Sequence, residues 1–189
     1  MSEHGTGQTP AQTVGPFFGY ALPYPGGPDV RAPWQPDAIR LHGLVLDGAG
    51  EPVPDALVEV WGADADGRPS TERGSLDRDP HGFTGFGRSA TARDGRYAFS
   101  TLKPGSSRPG AAPYVVVAVF ARGLLNHLLT RAYFADEVDA NGADPLLQRV
   151  DADRRATLVA ELDGPRSYRF DIRLQGAGET VFLDYGTPQ

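Results

Sequence analysis

Cysteine is absent from the 189 residues. That removes disulfides, thiolate zinc sites, iron–sulfur clusters and cysteine nucleophiles together. Lysine is nearly absent too, with Lys103 alone among 18 basic residues, and the formal net charge is −6. Such a balance argues against a nucleic-acid groove or an anionic membrane surface as partner. The longest apolar run, Tyr114 to Ala121, is far too short to span a bilayer. Met1 to Pro10 lacks the basic and apolar regions of a secretory signal, so a cytoplasmic location is expected. No two of His4, His42, His81 and His127 lie within five residues of each other, which leaves no local metal-binding pair. There is no G-x-S-x-G elbow and no P-loop, and Gly82 to Gly87 does not match a dinucleotide fingerprint. Asp64-Ala65-Asp66-Gly67 lacks the third early ligand and the closing glutamate of a calcium loop. It reads as a turn.

Turn formers are abundant, with 24 glycines and 17 prolines. They punctuate the chain without a collagen period. Residues 1–38 are proline-rich, which excludes a helix or central strand. Yet they carry Phe17, Phe18, Tyr20, Tyr24 and Trp34, an aromatic load foreign to a disordered tail. They read as an extended N-terminal arm docked on its own domain or on a partner. Residues 39–189 read as one domain of short strands: 39–47, 56–61, 96–101, 114–121, 157–162, 167–175 and 180–185. The stretches 157–162 and 167–175 form a hairpin across Asp163-Gly164-Pro165. Asp144-Pro145 is placed to start a short helix over 146–150. Tyr97, Phe99, Tyr114 and Phe120 are expected in the core. The fold class expected is all-β: an antiparallel Greek-key β-sandwich with at most short helices. Composition and spacing alone reveal no catalytic machinery.

Two segments carry a resemblance. Gly43 to Asp47 with Gly50 to Trp61 (GEPVPDALVEVW), and Asp94 to Gly105 (DGRYAFSTLKPG), resemble the intradiol ring-cleavage dioxygenases. That family splits catechols between their two hydroxyls with a non-haem Fe(III) on a transthyretin-like sandwich. The same stretches also mark carboxypeptidase-regulatory and adhesin sandwiches. Three further segments are similar to the iron-free α subunit of two-subunit family members: Thr9 to Phe17 (TPAQTVGPF), Val119 to Gly123, and Leu129 to Phe134 (LTRAYF).

The resemblance implies that the family's two tyrosine and two histidine iron ligands are replaced here, by Pro69, Ser107, Val115 and Val117. It implies a homologous iron-bearing β subunit as partner, in a large symmetric assembly, with no metal on this chain. It also implies a small aromatic substrate, 3,4-dihydroxybenzoate. This chain would contribute Arg131, Thr13, Gly15, Pro16 and Phe17 to the pocket wall: the guanidinium for the substrate carboxylate, the arm for backbone approach and an apolar side. Two alternatives stand at this point. One is a non-enzymatic carboxypeptidase-regulatory-like binding sandwich, and the other is a self-sufficient iron dioxygenase with unfamiliar ligands.

Overall fold

The computed structural model describes residues 15, 17–72, 79 and 81–184. Among these lie nine strands: β1 Ala38–Leu46, β2 Leu57–Gly62, β3 Phe86–Ala90, β4 Arg96–Leu102, β5 Tyr114–Phe120, β6 Leu128–Phe134, β7 Val159–Leu162, β8 Ser167–Arg169 and β9 Ile172–Arg173. Helices are short, α1 at Phe18–Ala21 and α2 at Val138–Ala143, with 3-10 turns at Leu147–Arg149 and Arg155–Leu158. Period-two burial explains the strands. Ile39, Leu41 and Val45 of β1 and Tyr97 and Phe99 of β4 face inward. They meet Val58, Val60, Val115, Val117, Phe134 and Phe170 in one core.

The architecture departs from the expected antiparallel sandwich. The strands run in one continuous order, β3-β2-β5-β6-β7-β8-β1-β4, with β9 beside β1. Three of the pairings, β1 with β8, β1 with β9 and β6 with β7, are parallel. The result is a mixed, nearly closed, barrel-like sheet. Period-two alternation reports which face of a strand is buried but not the direction of its neighbour. A parallel step from β6 to β7 requires a crossover, and residues 135–158 supply it, carrying α2 and the 3-10 turns.

The two ends of the strand order, β3 and β4, are bridged by residues 27–31 of the arm. Gly27 O accepts from Arg88 N of β3 (2.9 Å), and Val30 O accepts from Thr84 N (3.2 Å). On the other side Pro28 O accepts from Ser100 N of β4 (3.1 Å), while Arg31 N donates to Ser100 O (3.0 Å). Val30, between them, is buried in the core. This part of the arm therefore docks on its own domain.

Local expectations were met unevenly. The segment 157–162 opens as a 3-10 turn and becomes strand only at Val159. The stretch 167–175 divides into β8 and β9. Between them Asp171 Oδ1 accepts from Leu44 N (3.0 Å), where a backbone carbonyl would serve in an unbroken ladder. Residues 180–184 form no strand, and position 185 lies outside the described residues. Asp144 does start a turn, accepting from Leu146 N (2.8 Å) and Leu147 N (3.1 Å), but the turn is 3-10 and spans three residues.

Candidate functional site

Two loops cross at one edge of the β2–β5 pair. The loop after β2 is folded back by Asp64, whose Oδ1 accepts from Asp66 N (2.9 Å) and Arg68 N (2.8 Å). Ala63 and Pro69 then pair as an isolated bridge. The loop after β4 lies against it, with Gly105 N donating to Asp64 O (2.8 Å). The crossing admits only glycine. A Cβ on Gly67 (φ +81°) would fall 2.0 Å from Ser106 O, and one on Gly105 would fall 2.3 Å from Ala65 O. Together the loops and strands enclose a cavity of about 270 Å³ whose lining includes Trp61, Pro69, Thr84, Ser107, Tyr114 and Val116.

The sheet register extends this wall. Phe86, Trp61, Val116 and Arg131 stand directly opposite one another across β3, β2, β5 and β6, and so share the outer face. The Trp61 and Phe86 rings stack 4.5 Å apart at a tilt of 48°. In the adjoining row Tyr114 opposes Tyr133, their rings 5.7 Å apart. The Arg131 guanidinium lies 4.0 Å from the centre of the Tyr114 ring, a cation–π contact. Its Nη1 donates to Tyr133 Oη (3.3 Å), and Tyr133 Oη donates to Asp144 Oδ1 (3.3 Å). Burial pushes the Tyr133 phenol up to about 12, with Arg131 opposing that shift, so it holds its proton at neutral pH. The arm reaches the same outer face near the Glu59–Arg88 ion pair (2.6 Å), where Leu22 O accepts from Arg88 Nη1 (3.0 Å).

The residues singled out from sequence are distributed as follows. Pro69 and Ser107 meet in the cavity. Val115 and Val117 do not join them: both are buried in the core. The β5 side chains turned toward the cavity are Tyr114 and Val116, because neighbouring strand residues point to opposite faces. Arg131 is 7% exposed and one strand from Val116. Gly15 and Phe17 are exposed at the start of α1, Gly15 O accepting from Phe18 N (3.1 Å). Thr13 and Pro16 lie outside the described residues. Tyr114, expected in the core, is half-buried and lines the cavity. Tyr133 and Asp144 were not foreseen as part of the site; the signal for them was the polar spacing Arg131, Tyr133 on one strand face.

The cavity does not fit a ferric ion. Its lining supplies one phenol and scattered hydroxyls, without an imidazole or carboxylate, whereas such a centre needs several anionic or imidazole donors. Among the described residues no group of three or more His, Cys, Asp or Glu side chains converges on a common point.

A profile of the Dioxygenase family matches residues 35–176. The chain is 44% identical to the protocatechuate 3,4-dioxygenase alpha chain of Burkholderia cepacia, over 94% of this chain and 97% of that one. The chain belongs to the intradiol ring-cleavage dioxygenase family. Other relatives are consistent with membership. The protocatechuate 3,4-dioxygenase beta chain of Burkholderia cepacia is 33% identical over 76% of this chain and 67% of its own. Among solved structures, the dioxygenase domain of a dioxygenase carbohydrate-binding protein fusion from Streptomyces sp. SirexAA-E superposes with a TM-score of 0.59. It is 27% identical and covers 89% of this chain and 98% of that domain. Catechol 1,2-dioxygenase from Acinetobacter sp. ADP1 shares the fold at a TM-score of 0.59 and 19% identity, over 84% of this chain and 60% of that one.

Proposed function

We propose that this intradiol dioxygenase is an iron-free α-type subunit, which joins an iron-bearing β-type chain in a protocatechuate 3,4-dioxygenase. The observation that carries the reading is the near full-length identity to alpha chains, in a chain whose cavity lacks a ferric donor set. The assembly cleaves 3,4-dihydroxybenzoate between its hydroxyls, and both oxygen atoms of O2 enter the product, 3-carboxy-cis,cis-muconate. The resemblance gives Pro69, Ser107, Val115 and Val117 as the metal-ligand positions replaced in this chain; the register of β5 turns Tyr114 and Val116, rather than Val115 and Val117, toward the cavity.

This chain's own residues wall the partner's pocket. Arg131 donates charge-assisted hydrogen bonds to the substrate carboxylate, while Thr13, Gly15, Pro16 and Phe17 of the arm close the opening and exclude water. A hydrogen bond to a charged group contributes about 1.5–3 kcal/mol, so Arg131→Ala should lower kcat/KM for the acid roughly 10- to 150-fold. The deciding experiment isolates the tagged chain from its native cells and assays iron and protocatechuate-dependent oxygen uptake. Co-purification of a homologous chain, with iron in proportion to it and turnover in the eluate, supports the reading. A chain that emerges alone and inert overturns it.

A further inference from the structure

Asp144 is fully buried, and a buried carboxylate persists only when its oxygens are satisfied. Here they are. Oδ2 accepts from Ala112 N (3.0 Å), and Oδ1 from Leu146 N (2.8 Å), Leu147 N (3.1 Å) and the Tyr133 hydroxyl (3.3 Å). The backbone fixes the group as firmly as its partners do. Pro145 follows it, and Asp144 takes the extended conformation (ψ 124°) that a residue before proline favours. The carboxylate is thus a fixed point between the entry to β5, the face of β6 and the crossover.

Tyr133 hangs on that point. Its ring is fully buried, and the desolvation that raises its ionisation to about 12 keeps the phenol protonated. The single proton goes to Asp144, which leaves an oxygen lone pair to accept from Arg131 Nη1 (3.3 Å). The guanidinium is then held on an edge by Tyr133 and over a face by Tyr114, 4.0 Å from the ring centre. A long arginine side chain loses much rotational freedom when it grips an anion, and one already clamped on two sides has less left to lose.

We infer that Asp144 is a positioning residue that acts through Tyr133 to hold the Arg131 guanidinium against Tyr114, so that the cation meets the substrate carboxylate in one orientation. The inference rests on the role of Arg131 given under the proposed function. The chain of contacts is directional. Asp144 orients the phenol, the phenol orients the guanidinium, and neither Asp144 nor Tyr133 needs to touch substrate.

The test uses the assembled α–β enzyme and two substrates that differ only in the carboxylate, 3,4-dihydroxybenzoate and catechol. Tyr133→Phe keeps the ring and removes both oxygen contacts; Asp144→Asn weakens the anchor; Arg131→Ala removes the cation. The result expected is a rise in KM of about three- to tenfold for the acid in Tyr133→Phe, the scale of the one hydrogen bond that orients the guanidinium, with kcat held and the catechol KM unmoved. Asp144→Asn should move the same ratio in the same direction, and adding Tyr133→Phe to Arg131→Ala should change it no further. An unchanged acid KM in Tyr133→Phe, or an equal shift for both substrates, overturns the inference by reducing the cluster to a structural role. If Asp144→Asn fails to assemble, Tyr133→Phe decides alone. If Arg131→Ala itself moves both substrates equally, the assignment of Arg131 to the carboxylate fails, and the positioning role falls with it. That outcome differs from one in which Arg131→Ala is selective and Tyr133→Phe is silent, which sinks only the positioning role.

Discussion

Alkaline pH should unfold this protein cooperatively, and the structure gives the scale. Burial raises the Tyr133 phenol to about 12 and holds the Tyr97 phenol well above the ordinary 10.0. Tyr168 is also raised, by burial and then by its hydrogen bond to Asp136. All three are 4% exposed or less. In the folded chain they keep their protons, whereas in the unfolded chain they titrate near 10. Stability is therefore intact below about pH 10 and is lost as the pH rises through the folded values. Tyr133, at about 12, removes about 1.4 kcal/mol by pH 11, and Tyr97 and Tyr168 add to the loss in the same direction. Against a domain stability of about 5–15 kcal/mol, such losses are a substantial fraction, so the unfolding transition should lie on the alkaline side of the ordinary tyrosine range.

The assay follows phenolate absorbance and far-UV circular dichroism on the same samples, in whatever assembly the chain is purified. The phenolates of Tyr97, Tyr133 and Tyr168 should appear only together with loss of the β-sheet signal. Tyr133→Phe should flatten the dependence of unfolding free energy on pH by about 1.4 kcal/mol per unit, whatever it does to stability at neutral pH. Ionisation of every tyrosine near pH 10 with the sheet signal intact would refute the reasoning, because it would mean that burial imposes no penalty on these phenolates.

Other perturbations reach different parts of the molecule. Gly67→Ala combines a left-handed backbone with a Cβ forced onto Ser106 O, and it should cost about 2–4 kcal/mol in urea denaturation; a neutral result would mean that the loop crossing is not rigid. On the acid side, burial lowers the His42 imidazole below its ordinary 6.5, and Asp163, 3.1 Å away, does not reverse this. The unfolded chain then binds the proton first, so stability is present above 6.5 and falls as the pH drops through the folded value. His42→Gln should lose less stability than the parent chain between about pH 6.5 and 5.5, the window just below the imidazole's ordinary value, in matched urea titrations. Equal losses would show that His42 does not contribute.

How far sequence reaches into this fold depends on which interaction sets each feature. Burial alternation is local, and it placed Tyr97 and Phe99 in the core as observed, whereas Tyr114 and Phe120, expected there too, are half-buried. Strand direction is not local. Tyr133 opposes Val159 in a parallel pair only because the crossover over 135–158 returns on the same side, and no dipeptide signal encodes that. The stretch 167–175 alternates as one strand, yet Asp171 interrupts it by capturing Leu44 N. Alternation is blind to a side chain that substitutes for a backbone acceptor. The segment 27–31 reads as proline-bearing arm, and its use as the seam between β3 and β4 emerges only when both strands are in place.

The cavity carries the same argument to the level of single residues. A motif aligned by its letters set Val115 and Val117 beside Pro69 and Ser107, but a strand has two faces and a shift of one residue exchanges them. What decides the face is the partner across the ladder. Val116 stands opposite Trp61 on one side and Arg131 on the other, so the wall of the cavity and the cation next to it belong to the same row. Asp144 shows the limit from the other direction. Its proline neighbour made it legible as the start of a turn, a role played within four residues. Its bond to Tyr133 spans 11 residues and its bond to Ala112 spans 32, and those distant contacts connect a turn-starting carboxylate to the guanidinium on the outer face of β6.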